Sequence, residues 1–127
     1  MSTRAQAFFP ASGVYLYTHQ QGGDLLKVVQ KALSHGVRHR DEEYLAAILL
    51  VGMRNHLNSL GIDQFASLGI STAEHPDIDF LLTLDTDRRE ITVEHRGCDG
   101  RESYTRTFEE IVQGEVLVLN QFLEGKR

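Results

Sequence analysis

Apolar and polar side chains alternate along Arg4 to Phe9 and again along Gly13 to Thr18, with Pro10-Ala11-Ser12-Gly13 between the two runs. A period of two is the strand pattern, and Pro and Gly between two such runs predict a hairpin. On the second run Val14, Leu16 and Thr18 point one way and Tyr15, Tyr17 and His19 the other, because side chains alternate along a strand. At Asp24 the period lengthens. Leu25, Leu26, Val29, Ala32 and Leu33 share one helical face and His35-Gly36 supplies a stop, which predicts a helix over Asp24 to Ser34 with Asp24 as its N-cap. A second helix is expected from Asp41, followed by Glu42 and Glu43 where the helix dipole favours negative charge. Leu45, Leu49, Met53, His56 and Leu60 lie on its apolar face and Gly61 closes it.

Ile62 to His75 reads mostly as loop, with a short strand at Leu68 to Ser71. Ile78, Phe80, Leu82 and Leu84 then alternate with Asp79, Leu81, Thr83 and Asp85. Beyond the turn at Asp85 to Arg89, Ile91, Val93 and His95 alternate with Thr92 and Glu94, so a strand, a hairpin turn and a strand are expected. Glu102 to Thr107 reads as a further strand that runs into Thr107 and, three residues later, Glu110, a capping box that starts a helix at Phe108. Helical spacing continues through Ile111, Val116, Leu119 and Leu123, although Gly114 inside that helix costs ~1 kcal/mol relative to Ala. The other reading breaks the helix at Gly114 and makes residues 115–121 a strand. Runs of like elements without strand-helix-strand alternation predict an α+β fold, an antiparallel sheet of about five strands with two or three helices packed on one face.

Composition narrows the class. A chain of 127 residues suits one domain, 1–127, since domains cluster at ~100–150 residues. The formal charge of −5 gives no general attraction to phosphate backbones, so nucleic acid is disfavoured as a partner. The basic run His35 to Arg40 does not reverse this, because Asp41, Glu42 and Glu43 follow at once. A single cysteine, Cys98, excludes an intrachain disulfide and fits a reducing compartment; in a Gly-rich turn it reads as a free surface thiol. No apolar run approaches a signal sequence or a membrane span, so the expected location is cytoplasmic.

Chemistry is concentrated at two places. The stretch Tyr17-Thr18-His19-Gln20-Gln21-Gly22-Gly23-Asp24 joins strand to helix, where glycines permit close backbone approach and a helix N-terminus offers N–H groups to an anion. It has no dinucleotide or P-loop spacing, and Asp24 stands where a phosphate would sit, so a plain turn and a ligand-lining turn are both open. The second place is Glu74-His75-Pro76-Asp77-Ile78-Asp79, where a histidine and carboxylates enter a strand and Asp77 and Asp79 face the same side. No paired-Cys or H-E-x-x-H motif completes a metal set and no cofactor fingerprint occurs, so neither metal nor cofactor is expected. His56, on an apolar helix face, reads as a core histidine with one hydrogen-bond partner, and His95 as the end of a strand on the sheet surface.

The stretches Met1 to Ala5, Tyr15 to Gly23, Tyr44 to Leu50, His75 to Asp85 and Ile91 to His95 together resemble a family of small, functionally uncharacterised proteins of bacteriophages and bacteria that begin Met-Ser/Gly-Thr-Arg. That family carries an aromatic-x-His-x-x-Gly motif and a later Asp-Ile-Asp/Glu-aromatic strand. The resemblance touches Thr3, Arg4, Tyr17, His19, Gly22, Asp77, Ile78, Asp79 and Phe80; Gln20 and Gln21 depart from the Trp-Asp common there. It implies a phage or prophage setting and a regulatory or counter-defence role. Residues and resemblance together lead to the expectation of a binding module, not an enzyme, with a small anionic ligand held by Arg4, Tyr17, His19, Gly22, Gly23, His75 and Asp77. Two alternatives stand beside it. One is a protein-interaction module, a homodimer or a host-partner binder, using the last helix; the other is a small metal-assisted hydrolase using His19, His75, Asp77 and Asp79.

Overall fold

The computed structural model describes residues 3–36, 41–97 and 100–114. Strands β1 (Ala5–Phe9) and β2 (Val14–Thr18) form the expected hairpin, followed by a 3-10 turn at Gly22–Asp24 and by helices α1 (Leu25–Ser34) and α2 (Glu42–Ser59). Strand β3 (Leu68–Ser71) follows, then β4 (Phe80–Asp85), β5 (Glu90–Gly97), β6 (Gly100–Thr107) and helix α3 (Phe108–Gln113). The six strands make one sheet in the order β3-β2-β1-β4-β5-β6. The α+β class is as expected, but the sheet is mixed, because β1 and β4 pair in parallel, Ala5 with Phe80 and Ala7 with Leu82. Hairpins account for the antiparallel pairs β1–β2, β4–β5 and β5–β6, whereas the antiparallel β2–β3 pair and the parallel β1–β4 pair join strands from distant parts of the chain and have no local turn to announce them.

Alternation assigns the two faces. Ala5, Ala7, Phe9, Leu16, Phe80, Leu82, Leu84, Ile91 and Val93 turn to one side and share a core with Leu25, Leu26, Val29 and Leu33 of α1, Leu45, Leu49 and Met53 of α2, and Phe108 and Ile111 of α3. His95 belongs to this side as well. It lies inside β5, with its ring 5.1 Å from that of Phe80, rather than at a strand end on an open surface. On the opposite side Gln6 and Leu81 are nonetheless buried. The connection from β3, at the sheet edge, to β4, at its centre, has to cross β2 and β1, and residues 72–79 make that crossing on the side away from the helices.

Local chemistry sets the element ends. Gly36 ends α1 with φ +68° and donates its N–H to the Leu33 carbonyl. The capping box of α3 is complete: the Thr107 hydroxyl accepts from the Glu110 N–H at 3.0 Å and the Glu110 carboxylate accepts from the Thr107 N–H at 2.9 Å. That helix ends at Gln113, and Gly114 is extended, so it does not run on through Gly114 as the longer helical reading expects. Whether residues 115–121 are strand, and the dimer surface expected on that last stretch, lie outside the described residues, as does Cys98. Asp24 does not cap α1 with its side chain. Its carboxylate meets His56 Nε2 at 3.0 Å, the single partner expected for that histidine. Glu42, at the start of α2, is buried and accepts from Ser12 N at 2.5 Å and Ser12 Oγ at 2.6 Å, so its charge closes the β1–β2 turn.

Candidate functional site

Arg4 stands at the start of β1 with its side chain on the side away from the helices, the side that Tyr17 and His19 also face. Arg4 Nε donates to His19 Nδ1 at 3.2 Å, and the Tyr17 hydroxyl lies 3.1 Å from the same nitrogen. A guanidinium can only donate, so Nδ1 is the acceptor, Tyr17 O–H is a second donor to it, and the proton of the neutral imidazole sits on Nε2. His19 thus keeps an N–H on the ring edge away from these two donors. Its own backbone is held too, with its N–H donated to the Ser67 carbonyl at 2.8 Å.

The crossing segment supplies the other half. The Gln6 side chain grips it twice, donating from Nε2 to the Ala73 carbonyl and accepting from the His75 N–H at 2.9 Å. His75 then stacks on Tyr17, ring centroids 4.4 Å apart and planes 22° apart. Asp77 reaches Arg4 NH1 at 3.2 Å, and Asp79 accepts from the Arg4 backbone N–H at 2.9 Å. Both carboxylates therefore reach Arg4, one at its guanidinium and the other at its backbone, from a turn that precedes β4 rather than from one face of a strand. Glu74 pairs with Arg96 of β5, which also contacts Glu94. The Glu74 hydrogen bond is the main reason the Arg96 guanidinium holds its proton even above the usual range, against its partial burial.

Electrostatically the cluster is mixed. Burial, and then the Asp77 charge, push the Tyr17 phenol above its ordinary value of 10.0, opposed by Arg4; Tyr17 is a neutral donor throughout the physiological range. Arg4 and Asp77 are 36% and 53% exposed, so their ion pair is a surface one, worth about 0–1 kcal/mol.

Five of the seven residues expected at the site thus meet: Arg4, Tyr17, His19, His75 and Asp77. Gly22 and Gly23 do not join them. Both are buried, and a Cβ at Gly22 would lie 2.7 Å from the Thr3 carbonyl and 2.9 Å from Ala5 Cβ, which places it on the helix side of β1. The Gly22 N–H is taken by the Thr3 carbonyl and the Asp24 N–H by that of Gln21, so those two donors are not turned to an anion. The glycines are a packed junction, and their effect on the site is to fix where His19 stands.

Gln6 and Arg96 escaped the sequence reading, and Glu74, although part of the Glu74–Asp79 stretch, was not among the expected ligands. Gln6 carried a signal, an amide between two alanines in an otherwise apolar strand; Arg96 carried none, since alternating charges on a hairpin read as solvated surface. Among the described residues no three His, Cys, Asp or Glu side chains are arranged to hold a metal ion, and no helix is long and apolar enough to cross a membrane. No protein-family model, curated protein or solved structure matches the chain.

Proposed function

We propose that the protein is a non-catalytic binding module that takes a small anion, a phosphate or carboxylate group, at Arg4 with Tyr17, His19 and His75 beside it. The observation that carries this reading is the half-exposed Arg4–Asp77 pair. A cation fixed from behind by His19 is neutralised by one weakly held carboxylate on a loop, and an incoming anion can take that carboxylate's place at small cost. The Nε2–H of His19 adds a neutral donor, and the Tyr17–His75 stack adds a flat wall suited to the body of a nucleotide or aromatic acid. Nothing in this set activates a nucleophile: the imidazole acceptor edge is consumed by Arg4 and Tyr17. The family resemblance adds a phage setting, in which sequestering a small signalling anion is a coherent role.

Titration with inorganic phosphate and with a nucleoside monophosphate, followed by calorimetry and by the NMR signals of Tyr17 and His19, tests the site. Saturable binding that Arg4→Ala abolishes is expected. Asp77→Asn should tighten it about two- to fivefold, the equivalent of removing a surface ion pair. Absence of saturable binding to the wild-type chain, or equal affinity in the Asp77→Asn variant, would overturn the reading.

A further inference from the structure

A second surface, on the far side of the molecule from Arg4, has the form of a seat. Helices α1 and α2 run antiparallel, since Asp24 at the start of α1 meets His56 near the end of α2. Along their outer seam lies a groove of about 500 Å³. Its floor is apolar, from Val28 and Ala32 of α1 and Ala47, Ile48 and Val51 of α2, and Val51 is 54% exposed. The sequence of α2 explains the surface. Tyr44 to Met53 is apolar nearly all round, as in a helix covered on every side, yet the sheet and α1 cover only part of it.

One wall of the groove carries Lys27, Lys31 and His35. They are spaced four and four along α1, so each stands ~6 Å beyond the last on one side of the helix. Among the described residues neither lysine forms an ion pair, although acidic residues outnumber basic ones, 18 to 13, in the whole chain. The other polar residues of the groove are Asn55, His56 and Ser59; the carboxylate of Asp24 sits at one end, paired with His56 rather than with a lysine.

We propose that the α1–α2 groove seats an acidic amphipathic helix from a partner protein. An apolar stripe on the incoming helix covers Ala47, Ile48 and Val51, and carboxylates at i, i+4 and i+8 on its flank match the Lys27-Lys31-His35 row. Charge complementarity selects this occupant. A basic helix meets like charges, and an uncharged one leaves two ammonium groups beside a dry interface without partners. Because α1 is 10 residues long, the seat accommodates about three turns of the guest.

The probe is a labelled synthetic 18-residue helix with Leu on one face and Glu at i, i+4 and i+8 beside it; its control has Lys in place of each Glu. Fluorescence anisotropy on the full chain is expected to show binding of the Glu peptide that weakens as salt rises, with the Lys peptide failing to bind. The double variant Lys27→Glu/Lys31→Glu should weaken it by about tenfold or more, and Val51→Glu by a similar factor. Both changes are at exposed positions, so circular dichroism should be unaltered. Equal affinity for the two peptides, or no loss in the lysine variant, overturns the proposal. A photo-crosslinking side chain placed at Val51 reads the occupant directly. Capture of the Glu peptide supports it, whereas capture of a second copy of the chain, or of the chain's own residues 115–127, in preference to the peptide overturns it.

Discussion

His19 Nδ1 receives two donors, Arg4 Nε and Tyr17 Oη, and this one atom decides what the cluster can be. A ring nitrogen occupied in that way cannot take a proton from a substrate, so the histidine acts as a fixed donor through its other edge. The phenol beside it reports on the same charges. Burial and Asp77 both disfavour phenolate, and Arg4 favours it. A phenol whose folded value is raised contributes stability below its unfolded value, and that contribution is lost as pH rises through the folded value. Asp77→Asn should therefore lower the alkaline titration of Tyr17 without bringing it fully to 10.0, because burial remains, and Arg4→Ala should raise it. Ultraviolet difference titration against Tyr17→Phe measures both shifts; an Asp77→Asn titration that stayed put or rose would show that Asp77 does not act on the phenol. Glu110 has the opposite sign. The Thr107 N–H, with smaller help from the Thr107 hydroxyl and Arg106, holds its carboxyl below the ordinary 4.5, so its stabilisation is present above that value and lost as pH falls through the folded one. Glu110→Ala should melt earlier than wild type at neutral pH, and thermal melts in acid below 4.5 should bring the two together.

At the scale of elements, the turn between β2 and α1 shows what packing adds to pattern. Gly22 needs no unusual dihedral; it needs the absence of a Cβ, because Thr3 and Ala5 occupy that space. Gly22→Ala should destabilise by about 1–3 kcal/mol, the usual cost of overpacking, read as a lower urea midpoint at unchanged slope. The helix starts at Glu42 and Phe108 and the β1–β2 and β4–β5 hairpins were legible because each rests on neighbours a few residues apart: a cap, a turn, an alternation. Asp77 and Asp79 both reach Arg4, but from a turn before β4 begins at Phe80, so the strand alternation that placed them on one side is not what brings them there. Asp24 misled because a good N-cap residue has the same sequence signature whether its carboxylate caps its own helix or reaches His56 on the next. Glu42 likewise fits a favourable first-turn charge, but its partner Ser12 lies in a different element. A sequence pattern names the donor or acceptor and leaves the choice of distant partner to the fold.

At the scale of the whole molecule, the parallel β1–β4 pair is the feature with the widest consequences. Bringing β4 beside β1 from the far edge of the sheet obliges residues 72–79 to cross the face that the helices leave open, and this crossing delivers His75 and Asp77 to Tyr17 and Arg4. Topology, rather than any local motif, builds the candidate site. The joint that holds the crossing in register is Gln6, whose amide donates to Ala73 and accepts from His75 while fully buried. Gln6→Ala removes both bonds and opens a small void beside β1, at a cost of about 1–3 kcal/mol in denaturant unfolding. The more telling result is local. The His75 amide should exchange faster with solvent and proteases should cut within residues 72–77, while core amides of α2 and β5 fall in protection only by the global loss of stability. If the crossing were an independent edge of the fold, those core amides and His75 would lose protection by the same amount. Unequal loss would establish that a single buried amide couples the sheet topology to the geometry around Arg4.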